Sequence, residues 1–392
     1  MNPLPLLFAL VPQATSQLEL VESAPLETTL DHADLRNADT VWLEMIARAK
    51  SSFDCAQFYV SDAPGSRFHE VVRALEAAAQ RGVKVRVLAE EKFHKTYPET
   101  LDRWSTTPGF EVRRFDVSAH FGGVLHAKYF VVDGREVFVG SQNFDWRSLE
   151  HIVELGLRIE APRTAEAFQA VFDADWRVAG GEPLEAALAP LRELAPPRET
   201  LSGAVVSARF SPLVGVASDV WWDLPLLVER LERAEKRVRI ELLTYKMVGR
   251  DKQYFAELEN ALRRAAARGV RVQLLVADWG KRAGTIEGLQ SLEPLPNVEV
   301  KLATIPPHSS GHIPFGRVIH AKYMTVDGSR VWLGTSNWER DYFEESRNAS
   351  VFVDDAALAT RLERFFDELW SSPYAYAVDP SATYEVPKFG ER

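Results

Sequence analysis

Cysteine is almost absent from this 392-residue chain; Cys55 is its sole representative. One cysteine excludes an intrachain disulfide and any cysteine-based zinc or iron–sulfur site. Cys55 lies in the apolar run SFDCAQFYV, where a thiol reads as a packing group rather than a nucleophile. Positive charge is also in short supply. A formal charge of −10 and a pI of about 5.5 weigh against nonspecific coating of duplex nucleic acid, because such binding is driven by phosphate neutralisation. A local basic pocket for one phosphate or one strand end stays open. The third absence is a long apolar run, so no transmembrane helix is expected. The N-terminal stretch Leu4 to Val11, followed by Ala14 and Ser16, has the outline of a secretory leader. No Lys or Arg precedes it, and Pro3, Pro5 and Pro12 interrupt or flank it. Residues 1–19 are therefore set apart as a leader segment, with export the expectation and a cytoplasmic site the alternative.

What the chain does have, it has twice. Its length suits two domains rather than one core, and four features recur in the same order. An apolar strand ends in tyrosine, at Tyr59 and again at Tyr245. An alanine-rich helix then runs into a β-branched strand, ALEAAAQRGVKVRVLAE and ALRRAAARGVRVQLLVA. Gly82 and Gly269 are placed to close those helices in the left-handed conformation. Next come HAKYFVVDGREVFVGSQN and HAKYMTVDGSRVWLGTSN, and last a helix ending in Trp176 or Trp370. An offset of 194 residues separates both the motif histidines and the closing tryptophans, whereas 187 separate Arg81 from Arg268. Some seven extra residues therefore fall near the Pro/Gly/Ser-rich stretch 305–317 of the second half. The expected organisation is an N-terminal half over 20–179, a linker over 180–203 with one short helix, and a C-terminal half over 204–392. Alternating strands and helices make both halves α/β, each a mixed sheet flanked by helices, related by a pseudo-two-fold axis.

The histidine–lysine phrase carries the chemistry. Asp133-Gly134 and Asp327-Gly328 sit between apolar runs and read as hairpin turns, which makes both aspartates turn residues rather than catalysts. On a strand, residues two apart share a face, so His126 projects with Lys128 and His320 with Lys322. Gly140 and Gly334 allow close backbone approach. Ser141, Asn143, Thr335, Ser336 and Asn337 follow with hydroxyl and amide groups. Two lysines plus these donors around a pseudo-axis make a pocket for a phosphate whose charge grows in the transition state. A histidine from each half supplies a nucleophile and a general acid. A lone His-x-Lys would be a surface accident. A duplicated core has no reason to retain such a costly polar set in both copies unless it is used.

Both copies fit HxKxxxxDxxxxxxG(S/T)xN, and in this the chain resembles the phospholipase D superfamily, whose members assemble two such motifs around one active site. The stretches LVESAP (20–25), FDWRSLEHIVELG (144–156), GTSNWERDYF (334–343) and WSSPYAYAVD (370–379) are similar to the branch of lysosomal 5′-exonucleases and poxvirus envelope phospholipases. The resemblance implies that His126 and His320 are catalytic, that Lys128, Lys322, Asn143 and Asn337 hold the phosphate, and that Glu154, 28 residues after His126, orients a motif histidine. The position 28 after His320 is Asn348, which is not an acid. By the same analogy His126 is the nucleophile and His320 the general acid. No metal and no cofactor is implied. The implied activity is phosphodiester cleavage through a phosphohistidine. The substrate is single-stranded nucleic acid cut from an end, or alternatively a phospholipid, including cardiolipin-type phosphatidyl transfer. A noncatalytic binding module would be marked by loss of a histidine or lysine, and both pairs are intact. No protein partner is evident.

Several other residues read as structural. His308 and His312 belong to the extra loop, and Trp146, Trp338 and Phe343 to the core or the site wall. Trp221-Trp222 opens an apolar helix. Asn348-Ala349-Ser350 matches the glycosylation triplet in pattern alone.

Overall fold

A computed structural model describes residues 17–195, 197–249 and 252–390. The apolar part of the expected leader lies outside them. Each half contributes a mixed sheet built the same way. In the first half the strands are β1 (Leu18–Ser23), β2 (Ser52–Gln57), β3 (Lys84–Glu90), β4 (Phe110–Phe115), β5 (Tyr129–Val132), β6 (Glu136–Gly140) and β7 (Ile152–Glu160). They lie in the order β1-β7-β6-β5-β2-β3-β4, with β2, β3 and β4 parallel and the other pairs antiparallel. The second half repeats this with β8 (Ala204–Ser211), β9 (Arg237–Leu242), β10 (Arg271–Ala277), β11 (Val298–Ala303), β12 (Tyr323–Val326), β13 (Arg330–Gly334) and β14 (Asn348–Asp354), in the order β8-β14-β13-β12-β9-β10-β11. Short strands extend the edges of both sheets. Within the linker region a helix spans Leu184–Arg192, and the strand Arg198–Leu201 pairs with β8.

Local signals explain the elements. Helix α1 (Ala38–Arg48) precedes β2, and helix α2 (Arg67–Gln80) starts where Ser66 accepts the His69 amide at 3.1 Å. Its buried stripe is Phe68, Val71, Val72, Leu75, Ala78 and Ala79, the spacing of one helix face. Helix α3 (Pro162–Ala179) closes the first half. The counterparts are α4 (Asp223–Glu232), α5 (Ala256–Ala267) and α6 (Ala356–Trp370). Gly82 and Gly269 end α2 and α5 at φ 95° and 91°, as the left-handed cap requires. Trp222 is the N-cap of α4 rather than its first turn, and its indole donates to the Phe343 carbonyl.

The halves are welded, not tethered. One hydrophobic core contains Leu157, Phe168 and Phe172 of the first half together with Val206, Val351 and Phe366 of the second. Two further cores lie on the outer faces, under α1 and α2 and under α4 and α5. Cys55 is fully buried in the first of these. At the join, Ile152–Val153 pairs in parallel with Val318–Ile319, and Leu125 bridges to Arg347. The Arg347 guanidinium, itself fully buried, grips Asp175 of the other half at 2.8 Å and the carbonyls of Ser211 and Gly215. Ten residues separate β4 from His126 and sixteen separate β11 from His320, so the second half's extra length falls mainly in the stretch before its motif.

Candidate active site

His126 and Lys128 do not lie on a regular strand; β5 begins only at Tyr129, and β12 only at Tyr323. The reason is visible in the backbone. The His126 amide donates to the Arg347 carbonyl and the His320 amide to the Val153 carbonyl, both at 2.8 Å. Each motif is thus spliced onto the opposite half before it joins its own sheet. Alternation still holds, with Ala127 and Ala321 buried on one side and the histidine and lysine sharing the other. Asp133 and Asp327 stand at φ 52° and 53°, followed by Gly134 and Gly328 at 63° and 69°, two consecutive left-handed residues as a tight hairpin demands. Asp133 accepts the amides of Lys50, Ser51 and Ser52, and Asp327 those of Glu235, Lys236 and Arg237. Both aspartates are structural staples.

The next residue after each cross-half bond completes the site. Glu154 accepts from His320 Nδ1 at 2.8 Å, and Asn348 Oδ1 accepts from His126 Nδ1 at 3.1 Å. The 28-residue partner therefore serves the histidine of the other half, not its own. Ser148 supports the carboxylate, donating to Glu154 Oε1 at 2.9 Å. Asn348 Nδ2 donates to the carbonyls of Tyr342 and Ser346, so its oxygen must face His126. That oxygen can only accept, which places the His126 proton on Nδ1 and leaves Nε2 with a free lone pair. Asn348 is fully buried and so is no glycosylation site. Sequence reasoning passed over it because it looked for an acid; the shared 194-residue offset was the available signal.

The remaining expected residues divide. Lys128 and Lys322 each donate to the carbonyl of their own motif histidine at 2.6 Å, with two donors apiece left over. Both amide atoms of Asn337, the Ser336 hydroxyl and Asn143 Oδ1 are buried without a hydrogen-bond partner, which is costly unless a ligand completes them. Ser141 and Thr335, expected to face the phosphate, are committed elsewhere. Ser141 exchanges hydrogen bonds with the Leu155 backbone, and Thr335 donates to Asn348 Oδ1 at 2.8 Å. They brace the orienting residues instead. Gly140 and Gly334 are needed here, since a Cβ on Gly140 would come within 2.7 Å of the Gly156 Cα, and one on Gly334 within 2.6 Å of the Ser350 Cβ.

Electrostatics follow from packing two lysines and two histidines together. Burial, reinforced by Lys128, Lys322 and His320, pushes the His126 imidazole well below its usual value. Burial and the lysines also push His320 down, to about 4, against the pull of Glu154. Burial raises the Glu154 carboxyl, but His320 and Lys322 outweigh it and hold the group below the ordinary carboxylate value. Burial lowers Lys322 to about 7, with Glu154 and Glu241 opposing. Lys128 is also lowered, under burial and the charge of Lys322. The free site is short of negative charge, which a bound phosphodiester supplies. Among the described residues no group of three or more His, Cys, Asp or Glu side chains is gathered as a cation site, and no helix is long and apolar enough to cross a membrane.

Outside this centre, His308 contacts Glu27 at 3.2 Å and stacks edge-on to His151, while His312 bonds the Gly390 carbonyl. Trp338 and Phe343 are core; Trp146 is half-buried beside Arg147.

The chain is similar to known proteins in sequence and fold. The family described as "Cardiolipin synthase, PLD-like domain" matches residues 42–176 and 227–370, one block around each motif. The chain is 31% identical over 398 residues to the 5′-3′ exonuclease PLD3 of Bos taurus, covering 93% of this chain and 81% of that one. It is 28% identical to phospholipase D Z of Dictyostelium discoideum, covering 92% and 90%. Phosphatidylserine synthase of Haemophilus influenzae Rd KW20 has the same fold, with a TM-score of 0.64 at 14% identity over 87% of this chain and 85% of that one. With both matched blocks meeting at a single His–Lys centre, the chain belongs to the phospholipase D-like family.

Proposed function

We propose that the protein is a phosphodiesterase that cleaves single-stranded nucleic acid from an end through a phosphohistidine on His126. The observation that carries the assignment of roles is the unlike partnering of the two histidines. A neutral amide beside His126 suits a neutral imidazole that must attack through Nε2. A carboxylate beside His320 suits a ring that must hold a proton as imidazolium. Lys128, Lys322, Asn143, Asn337 and Ser336 take the non-bridging oxygens. His126 Nε2 forms the bond to phosphorus, the bond to the leaving oxygen breaks, and that oxygen takes the proton of His320. Water then attacks phosphorus, gives its proton back to His320, and releases His126. The phosphodiester's charge offsets the two lysines, so substrate binding itself favours the protonated form of His320.

The nucleic-acid reading draws on the exonuclease relative, whose likeness spans nearly this whole chain. The phospholipid reading draws on the Dictyostelium phospholipase D, which is matched over 90% of its length. Incubation with single-stranded DNA, RNA, phosphatidylcholine and phosphatidylglycerol vesicles, followed by acid-free quenching and mass spectrometry, tests both. The expected result is stepwise trimming of free-ended strands and, in His320→Ala with an activated diester, an adduct on His126. Headgroup release with oligonucleotides left whole would install the phospholipid reading. An adduct on His320 in the corresponding His126→Ala protein would reverse the roles.

A further inference from the structure

We propose that the half-buried rings of Phe58, Phe93 and Tyr97 form a stacking site for a nucleobase, that of the nucleotide which stays bonded to phosphorus while His126 carries it. This rests on the nucleic-acid reading above and specifies where the substrate lies.

The rings form a run leading away from the nucleophile. Phe58 has its centroid 4.9 Å from His126, and Phe93 lies 4.2 Å from Phe58. Tyr59 continues the run 5.9 Å from Phe93, and Tyr97 stacks on Tyr59 at 4.7 Å with 24° between the planes. Cations flank both ends, Lys128 Nζ 5.1 Å from the Phe58 ring and Arg147 5.6 Å from that of Tyr97. Partly exposed rings bordered by cations match what a base and its phosphates need.

The hydrophobic cores do not account for these rings. Phe58, Phe93 and Tyr97 are each only partly buried and belong to none of the three hydrophobic cores. Nor does the duplication account for them. By strand register β2 corresponds to β9 and β3 to β10, so Leu243 takes the place of Phe58 in the second half, Gly280 that of Phe93 and Gly284 that of Tyr97. The second half brings the ring of Tyr342 to 4.9 Å from His126 but surrounds it with polar groups, with Thr244 bonded to Glu339, and Lys246 and Arg282 close enough to act on that carboxyl. The run of partly exposed rings thus belongs to the first half and begins at His126. In the displacement, the P–N bond forms at His126 and the P–O bond breaks on the side of His320, whose proton the leaving oxygen takes. The departing strand lies toward the polar wall and the retained nucleotide toward the rings.

The test uses single-stranded oligonucleotides with one abasic residue on either side of the first scissile phosphate. With the wild-type enzyme, removing the base of the retained nucleotide should raise KM about tenfold, the size of one lost base–aromatic contact. Removing the base of the leaving nucleotide should have a much smaller effect. Phe93→Leu and, separately, Tyr97→Leu should shrink the ratio of kcat/KM between the intact and the retained-side abasic strands. Equal cleavage of intact and abasic strands by the wild-type enzyme overturns this proposal alone. So does a larger penalty on the leaving side. Cleavage of no oligonucleotide at all overturns the nucleic-acid reading and this proposal with it.

Discussion

At the scale of single residues, the two lysines and two histidines hold opposed demands. Lys322 must be charged to grip a phosphate, yet burial lowers it to about 7. In the proposed mechanism His126 attacks as a neutral imidazole, and burial beside the lysines favours that form. Both point the same way. kcat/KM should be highest below pH 7 and should fall as pH rises through about 7, because Lys322 loses its charge in the free enzyme. Stability runs in the opposite sense for this group. The unfolded chain keeps the lysine protonated up to about pH 10.4, so between about 7 and that value the unfolded state binds the extra proton and the group's contribution to stability rises with pH. A pH–rate series for the wild type and for Lys322→Arg isolates the contribution of Lys322, since arginine stays charged throughout and should remove the step near pH 7 while leaving the fall that Lys128 and His320 impose. Glu154→Gln should cost about a hundredfold or more in kcat, the range of a general acid's contribution, and should alter the pH limb that reports His320. An unchanged profile would deny Glu154 an orienting role. Most of this constellation was legible in the sequence, because the paired motifs name His126, Lys128, His320 and Lys322 directly. Ser148 and Phe58 were not, because motif spacing does not mark a hydroxyl that supports Glu154 or a ring that meets His126 from another strand; Asn348 was placed by spacing, but its pairing with His126 across the halves was not.

At the scale of elements, the hairpin and the helix ends followed from short-range rules. Asp-Gly needs two left-handed residues, and an Arg-Gly-Val sequence after an alanine-rich helix needs a left-handed glycine. Both are found in both halves. The motif strands were less legible. Alternation placed the right side chains together, but periodicity carries no information about which carbonyl an amide will meet, and here the partners are Arg347 and Val153 across the join. The hairpin aspartates separate fold from chemistry. Asp133→Ala removes an acceptor for three backbone amides and leaves alanine at positive φ. It should cost about 2 kcal/mol, typical for hydrogen bonds to a charged acceptor, and should lower the melting temperature while leaving kcat near wild type. A loss of kcat without a loss of stability would mean that Asp133 acts on the site.

At the scale of the whole molecule, duplication has become division of labour. The positions related by the 194-residue offset cross over, His126 meeting Asn348 and His320 meeting Glu154, so neither half owns a complete histidine. The lysines act on the opposite half as well, since Lys322 lowers both His126 and Lys128. The shared core and the Arg347–Asp175 pair leave each half, taken alone, with a large apolar face and a buried charge uncovered. A buried arginine stripped of its carboxylate is strongly destabilising, so the halves should unfold in a single transition rather than in two. Residues 1–196 and residues 197–392, produced separately, should be inactive and prone to aggregate. Produced together, they should recover measurable activity, because the contacts that build the site are noncovalent and lie away from the cut. Calorimetry of the intact chain and assays of the separate and combined pieces decide the matter. Two resolved unfolding transitions would show that the halves fold independently, and turnover by either piece as a monomer would show that it carries a working site of its own.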